Sequence, residues 1–539
     1  MRIVTVKQMR ALENEANTAG TGFDRMIDHA GKGLAEAVHT RYWSTEHNHI
    51  LGLIGSGNNG GDALVTLTYL CGLGWKVRAY LTKPRTNDTL VADFLGSGGE
   101  LVESENDQSF TRLKKWCKET NLLLDGILGI GIVLPLRGNL PNVLAVVKSV
   151  KPNPIIVAVD CPSGIDCDSG EVSKETLTAD LTICLGAVKI GLLKKPASQY
   201  VGEIAVVPIG LAKSLPTWKT VNGELMERHI AESCLPLRPD DAHKGTFGTC
   251  MVVAGSVNYC GAVMLAAEAA YRVGAGLVQA AIPGAIYEAV SGSLPEAIWL
   301  VLPHTDGVIN ADAATVIQRS LDKINALLVG PGISSEAASI EFIDRLIDSK
   351  EVINSRKRFI GFASDEPAKG NDKVQVMPPM VIDADGLRAL ALIPDWSSKL
   401  PRGSILTPHP GEMSALTGMP IDAIQKSRIS VALEFAQKWG HVVVLKGAQT
   451  VIANPSGVYT VNPVSTSALA TAGTGDILAG MIAGYVTQGL KPYSAAILSV
   501  WLHAQAGLIA SENLGSTTAV IARDVLRALP VSIKQNSRH

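Results

Sequence analysis

The chain has 539 residues, more than one hydrophobic core ordinarily serves, so two domains are expected. Hydrophobic residues make up 46% and charged residues 18%, which excludes a disordered chain, and a formal net charge of -2 leaves no electrostatic footprint for nucleic acid or an anionic membrane. Small molecules are the partners such a balance leaves.

Eight cysteines, among them Cys71, Cys117, Cys161, Cys167 and Cys250, have neither CxxC nor metal-ligand spacing and read as reduced, buried residues of a cytoplasmic protein. The amino terminus has no apolar run long enough for the core of a secretory leader. The longest apolar stretches, such as 477–486, fall short of the ~20 residues that span a bilayer, so no membrane helix is expected.

In chain order, apolar positions at helical spacing predict helices over 7–19 (Met9, Leu12, Ala16) and 24–40 (Met26, Ile27, Ala30, Leu34, Ala37, Val38). A strand over 49–54 closes on Gly55 and is followed by the loop GSGNNGGDALV and a helix through Leu70. Strand, glycine loop and helix in succession is an arrangement that turns backbone amides towards a nucleotide. Strand signals recur over 76–81, 122–125, 155–160, 181–185 and 203–208, with helical segments mostly between them, and predict an α/β fold with a Rossmann-like parallel sheet.

Ligands of such sheets bind beyond the carboxyl ends of the strands, which selects three loops. The first holds Asn58, Asn59, Gly60, Gly61 and Asp62; the second starts at Asp125 and runs through GILGIGIVLPLRG; the third is DCPSGID, with Asp160, Ser163, Gly164 and Asp166. Asn59, Asp125 and Ser163 together could offer oxygen ligands to a large hard cation, and one carboxylate among neutral oxygens suits a monovalent ion better than Mg²⁺. Taken singly, a glycine-rich loop is a weak signal, and Asp160 before Pro162 could simply start a turn.

These three motifs resemble the amino-terminal YjeF domain, the NAD(P)H-hydrate epimerase family, over about residues 1–215. The resemblance implies K⁺ held by Asn59, Asp125 and Ser163. It implies contacts to a hydrated nicotinamide nucleotide from Asn58, Asn59, Gly60, Gly61 and Asp62, and from the loop Gly129, Ile130, Gly131, Ile132, Val133, Leu134 and Pro135. Asp160 is a further contact and the candidate acid/base. Ala63 stands where the family usually has glycine, and Ile130 where it often has threonine. Members of this fold also occur as binding modules without catalysis.

Between about 211 and 232 the alternation lapses into a polar stretch with proline and tryptophan, read as a linker. RPDDAHKGTFGT then leads into a strand over 250–254, followed by a loop, a small-residue helix and another strand in GSVNYCGAVMLAAEAAYRVGAGLV. The alanine and glycine string reads as close packing. The loops around it, with His243, Lys244, Gly245 and Tyr259, are more polar than packing requires. Strands over 326–329, 381–382 and 404–406 run into GPGIS, DADGL and TPHPGEM, where two prolines restrict the backbone around His409. A strand over 441–445 runs into Lys446, Gly447, Ala448, Gln449 and Thr450, a lysine, a glycine and a hydroxyl in one turn, suited to phosphate or ribose.

The stretch TAGTGDILAG at 471–480 is the focus of this half. Gly473 and Gly475 allow a turn that leaves amides uncovered, and a helix beginning near Gly475 adds its positive end. Asp476, beside those amides, is expected to stay ionised and to accept a proton from a hydroxyl attacking or leaving a phosphoryl group. The alternative is an aspartate that only caps the helix.

AHKG, GPG, DADGL, TPHPGE, LKGAQT and AGTGD, in this order, resemble the carboxy-terminal YjeF domain, the NAD(P)H-hydrate dehydratase family of the ribokinase-like fold, over about residues 225–530. The resemblance implies that Ala262, Gly332, His409 and Asp476 contact the hydrate, that Lys446, Gly447, Ala448, Gln449, Thr450 and Gly475 contact the adenine nucleotide, that ADP is the phosphoryl donor, and that Mg²⁺ sits at the phosphates. Ser334 replaces a glycine common after GPG, and STSALATAGTGD is less glycine-rich than usual.

The two resemblances together imply an epimerase domain over 1–218 and a dehydratase domain over 225–535. The first would equilibrate the R and S forms of NADHX and NADPHX; the second would dehydrate the S form at the expense of ADP, giving AMP and phosphate. A homo-oligomer is expected. The competing reading is a vitamin or sugar kinase, which would share the glycine loop and its aspartate, fused to a nucleotide-binding module without catalysis.

Overall fold

The computed structural model describes residues 1–348 and 377–537. The chain divides into two compact units, Met1–Leu225 and Met226–His539.

In the first unit the strands are β1 (Arg2–Val4), β2 (His49–Ile54), β3 (Lys76–Leu81), β4 (Glu100–Glu103), β5 (Leu122–Gly126), β6 (Ile155–Val159), β7 (Leu181–Leu185), β8 (Val188–Lys189), β9 (Glu203–Val207) and β10 (Gly223–Leu225). Seven of them form a sheet in the order β4-β3-β2-β5-β6-β7-β9, parallel throughout. Central strands alternate between two apolar faces. Ile50 and Ile54 of β2 join Leu122, Leu124, Val157 and Val159 in one core, while Leu51 and Leu53 join Leu123, Ile156 and Ala158 in another. Burial on both faces is why these strands read as unbroken apolar runs. The expected leading helices are Val6–Thr18 and Phe23–Tyr42. Part of the stretch read as a linker is ordered: β10 pairs antiparallel with β1, a strand that the sequence pattern does not separate from the helix after it.

The second unit adds β11 (Thr249–Val253), β12 (Leu277–Pro283), β13 (Ile298–Leu302), β14 (His304–Thr305), β15 (Val308–Ile309), β16 (Ala326–Val329), β17 (Met380–Ile382), β18 (Ile405–Leu406), β19 (Val442–Leu445), β20 (Val451–Ala453) and β21 (Tyr459–Val461). Its sheet runs β13-β12-β11-β16-β17-β18-β19 in parallel and continues through β20 and β21 antiparallel, with β14 and β15 as a separate hairpin. The alanine-rich helix Cys260–Arg272 packs on the helix Thr474–Thr487 at the closest spacing backbones allow: a Cβ on Gly480 would lie 2.2 Å from the Ala266 carbonyl oxygen. Close packing, as the sequence implied, is the role of that string.

The longest helix is Pro492–Leu514, of 23 residues with a mean hydropathy of 1.3 over its most apolar window. It exceeds the apolar length found by reading the sequence and by length could cross a membrane, but 72% of that window is buried within the protein and it forms part of the second unit's core.

In both units the chain builds one side of its sheet, then returns and builds the other. The reversals fall between β2 and β5 and between β11 and β16. Loops leaving such neighbours diverge and open a crevice at their carboxyl ends.

Candidate functional site

In the first unit that crevice is a cavity of about 440 Å³ lined by residues from three loops and the first helix, including Glu13, Asn58, Asn59, Asp62, Gly129 and Asp160. The helix Asn58–Gly72 starts at the crevice without a side-chain cap, so its first amides are available to an anion. Gly129, Ile130 and Gly131 line the cavity as expected. Ile132, Val133, Leu134 and Pro135 do not, and Val133 is 69% exposed. Gly60 and Gly61 are buried within the helix rather than in the wall.

Asp160 adopts a left-handed φ of 65°, a costly conformation for a residue with a side chain and one found where a site dictates it. Its Oδ1 accepts a hydrogen bond from the Leu185 amide at 2.9 Å and is in direct contact with Nζ of Lys189. Lys189 is fully buried, also donates to the Leu185 carbonyl at 3.0 Å, and has its pKa raised: burial opposes the charge, and Asp160 with the neighbouring Cys184 and Cys167 outweighs it. Lys189 was missed in the sequence, although it stands alone as a charge in the apolar run LGAVKIGLL. Opposite lie Asp62 and Glu13, both with raised pKa values, mainly from burial, with Asp160 adding to each.

Asp125 is wholly buried at the end of β5. Ser163 donates to it twice, from Oγ at 2.6 Å and from its amide at 2.8 Å, and burial still raises its pKa. Ser163 Oγ in turn accepts from the Leu128 amide at 2.9 Å. Asn59 lies against Gly129, and its Nδ2 has no hydrogen-bond partner among the described residues. A buried carboxylate that burial disfavours, with the Ser163 hydroxyl on it, supplies oxygens of the kind a monovalent cation takes, and the side-chain oxygen of Asn59 would be a third; the unpartnered Nδ2 of Asn59, a donor, would face an acceptor instead.

In the second unit Gly473, at φ 89°, turns the chain into the helix Thr474–Thr487, and Asp476 sits in its first turn. The amides there do not keep Asp476 an ordinary carboxylate, which corrects the expectation from the sequence. Burial and the charge of Asp383 push its pKa up to about 7, against a smaller opposing pull from Lys446. Lys446, leaving β19, is in direct contact with Asp383 Oδ1 and lies 3.7 Å from Glu412 Oε2. Asp383, at the end of β17, also accepts from Thr407 Oγ1 at 2.8 Å. Its neighbour Ala384 has φ 50°, a second backbone held in an unfavourable region beside a site.

His409 caps the helix Pro410–Thr417. Its Nδ1 accepts from the amides of Gly411 (2.9 Å) and Glu412 (3.2 Å), so the ring proton is on Nε2, which faces Glu412 Oε1 at 3.3 Å. Burial and the nearby Lys446 lower its pKa. The two prolines thus hold a neutral imidazole in one orientation. Asp383, Glu412 and Asp476 surround Lys446; the DADGL and TPHPGE motifs carry two of these, but spacing alone assigns them no role.

A cavity of about 680 Å³ is lined by His409, Lys446, Gly447, Ala448, Thr450 and Gly475, together with the segment 464–471 and the helix Pro492–Leu514. Gln449, at φ 55°, is outside its wall. Ala262 and Gly332 meet each other elsewhere: a Cβ on Gly332, at φ 65°, would lie 2.9 Å from that of Ala262. Ser334 takes the left-handed φ of 77° that a glycine would take, and donates its amide to Asp385. Among the described residues no three His, Cys, Asp or Glu side chains form a metal-binding group. A Mg²⁺ ion held by nucleotide phosphates would need no such group.

Fold and site together define a two-unit α/β protein with an anion-binding crevice in each unit, one of them built for phosphoryl chemistry. The sequence profile described as NAD(P)H-hydrate dehydratase matches residues 250–353 and 365–530, and that of the YjeF-related protein N-terminus matches 24–191. The chain is 33% identical over 523 residues to the bifunctional NAD(P)H-hydrate repair enzyme Nnr of Moorella thermoacetica, covering 94% of this chain and 92% of the relative. It is 31% identical to that of Coxiella burnetii, covering 98% of both. Among solved structures, the ADP/ATP-dependent NAD(P)H-hydrate dehydratase of Bacillus subtilis, co-crystallised with ATP and Mg²⁺, is 28% identical with a TM-score of 0.46, covering 58% of this chain and 99% of that one. The chain belongs to the bifunctional NAD(P)H-hydrate repair enzymes, which join an epimerase to a dehydratase.

Proposed function

We propose that the second unit dehydrates the S form of NADHX and NADPHX with ADP as phosphoryl donor, Asp476 acting as general base, and that the first unit supplies the S form by epimerisation at C6 with Asp160 as acid/base. The observation that carries the reading is Asp476 itself: a carboxylate on the first turn of an anion-binding helix, beside Lys446, with a pKa of about 7, near which a general base works best.

Asp476 takes the proton of the C6 hydroxyl as its oxygen attacks the terminal phosphorus of ADP, and AMP leaves. Amides around Gly473–Gly475 receive the charge spread over the phosphoryl oxygens, and Lys446 holds the nucleotide end. The ring nitrogen then expels phosphate from C6, and loss of a proton from C5 restores the dihydropyridine. Mg²⁺, when bound, neutralises phosphate charge. Ala262, Gly332 and His409 bind the hydrate, and Gly447 to Thr450 with Gly475 bind the nucleotide. In the first unit Asp160 protonates the C6 hydroxyl so that it leaves as water and returns to the other face. Lys189 keeps Asp160 oriented. Asn59, Asp125 and Ser163 hold K⁺, whose charge steadies the loops at the crevice, and the amides of 58–62 with the 129–131 loop bind the nucleotide part of the hydrate. The domains are epimerase over 1–218 and dehydratase over 225–535, in a cytoplasmic homo-oligomer.

The test is absorbance at 340 nm after the purified chain meets mixed-epimer NADHX with Mg²⁺ and either ADP or ATP. Full recovery with ADP is expected. Recovery that stops at the S fraction overturns the epimerase half; a stable phosphorylated product in place of NADH overturns the dehydratase half in favour of a kinase.

A further inference from the structure

The crevice of the first unit holds an acid that neither the sequence motifs nor the mechanism uses. Glu13 lies on the helix Val6–Thr18 and lines the cavity of about 440 Å³ together with Asp62 and Asp160. That helix precedes residues 24–191, the stretch matched by the YjeF-related profile. Glu13 is half-buried, and among the described residues no hydrogen bond or ion pair reaches its carboxyl group. Neither of its oxygens is closed off from water, so the group opens into the cavity it lines.

Asp160 stands differently. Its Oδ1 is taken by the Leu185 amide and by Lys189, while its Oδ2 has no partner among the described residues and is open as well. The charged groups facing Glu13 are Lys189, Asp160 and Arg10, with Asp62 adjoining. Burial raises the pKa of Glu13, against the pull of Lys189 and Arg10 and with the push of Asp160. Asp62, only 6% exposed, belongs to the helix whose first amides are assigned to the nucleotide part of the hydrate. Glu13 is the acid left over at this end of the crevice.

Inversion at C6 makes a demand that one acid cannot meet. Once the hydroxyl has left as water, the ring nitrogen forms a double bond to C6 and the carbon is planar. Water that adds on the same face restores the starting epimer; inversion needs water on the other face. The departing oxygen therefore gains a proton on one face and the entering oxygen loses one on the other, and each face needs its own carboxyl within hydrogen-bond reach.

Resting on the reading of the first unit as the epimerase, we propose that Glu13 is a second catalytic residue, set against Asp160 across the nicotinamide ring, and that the two share one proton. In one direction Glu13 protonates the hydroxyl on its face, the C6–O bond breaks with its electron pair leaving on the water, and the nitrogen lone pair makes the C6–N double bond. Water on the opposite face then forms the new C6–O bond, returns that electron pair to nitrogen and gives its proton to Oδ2 of Asp160. The other direction starts with the proton on Asp160, which is the step assigned to that residue above. Exchange with water in the crevice resets the pair. Between the two steps the positive ring lies among Glu13, Asp62 and Asp160, which stabilise it.

The test is the rate at which the full chain interconverts the NADHX epimers without ADP, followed by chromatography, for wild type and Glu13→Gln. A loss of about 10²-fold in kcat is expected, with KM for the hydrate within about twofold of wild type. The wild-type kcat/KM should be bell-shaped in pH, because the pair works with one proton and fails with none or two, and Glu13→Gln should lose one limb of the bell. A variant that keeps the wild-type kcat, or that slows while keeping both limbs, overturns the proposal. Should Glu13→Gln not fold, Glu13→Asp decides, since it keeps the acid on a shorter arm: a kcat lowered about tenfold with both limbs retained supports the proposal, and an unchanged kcat overturns it. A wild type that leaves the epimers unchanged overturns the epimerase reading and the proposal with it; an active wild type beside an equally active Glu13→Gln overturns the proposal alone.

Discussion

Each unit places a lysine beside a buried carboxylate, and the two differ in which carboxylate the lysine holds. In the first, Lys189 grips Asp160, the residue assigned to proton transfer. In the second, Lys446 grips Asp383, and Asp476, the assigned base, is left with burial and a neighbouring negative charge. Pairing fixes a carboxylate in place, whereas burial beside another negative charge raises the affinity of Asp476 for a proton. The dehydratase site has to take a proton near neutral pH while phosphate charge develops, and withholding the lysine from its base is how the fold provides for that.

The largest effect expected from breaking the comparison is at Asp476. Asp476→Asn should lower hydrate dehydration by about 10²- to 10⁴-fold and leave epimerisation in the first unit at its wild-type rate, measured separately by chromatography of the two epimers. The same variant should be more stable than wild type. A carboxyl whose folded pKa lies above its unfolded value of 3.8 binds more protons folded than unfolded, so its contribution to stability falls as pH rises from about 4 towards 7. The melting temperature of the Asp476→Asn variant without ligands should therefore exceed that of wild type at pH 8, and the gap should close towards pH 4. A variant that dehydrates at full rate ends the assignment of Asp476.

Next in size is Lys189→Met. Removing one partner of a buried pair leaves the other charge uncompensated, which costs about 3–5 kcal/mol. The first unit should unfold at lower denaturant, and epimerisation should fall by roughly two orders of magnitude if the lysine holds Asp160 in its working position. Dehydration of pure S hydrate by the second unit is the control. Epimerisation that survives in a folded Lys189→Met protein would reduce the pair to a structural one.

Legibility followed the kind of signal each residue leaves. β2, β3 and β7 were read to the residue because strands buried on both faces are uninterrupted apolar runs between turn residues. Asn59, Asp125 and Ser163 are grouped by the sequence because each lies at or just after a strand end, and of these the structure joins Ser163 to Asp125 by hydrogen bonds. Lys189 and Asp383 escaped since a residue's partner across a sheet leaves no mark in local spacing. The protonation of Asp476 was misjudged because the amides of its own helix are visible in the sequence, and the desolvation and the charge of Asp383 that outweigh them are tertiary.

Asn59→Ala tests the other cation of the comparison, the one the first unit lacks in its side chains around Asp125. Taking away one neutral oxygen should weaken the effect of K⁺ on hydrate binding to the crevice by about tenfold, read as the K⁺ concentration giving half-maximal binding by calorimetry. An unchanged K⁺ response would mean that Asn59 faces only the nucleotide.

The finest test exchanges the roles of the carboxylates without removing the base. Asp383 is the largest electrostatic cause of the raised pKa of Asp476, and Lys446 already pulls the other way. Asp383→Asn removes the first and frees the second, so both changes favour ionised Asp476. Burial remains, so the pKa stays above that of a free aspartate. The acid limb of kcat/KM for dehydration, which lies near pH 7 in wild type if Asp476 is the base, should move about one unit lower, equivalent to roughly 1.4 kcal/mol between the two protonation states. Lys446 without its partner should also hold nucleotide less well, so KM for ADP rises while the limb moves. A rise in KM with a stationary limb would separate the two functions of Asp383 and leave burial alone as the reason the base is poised near neutrality.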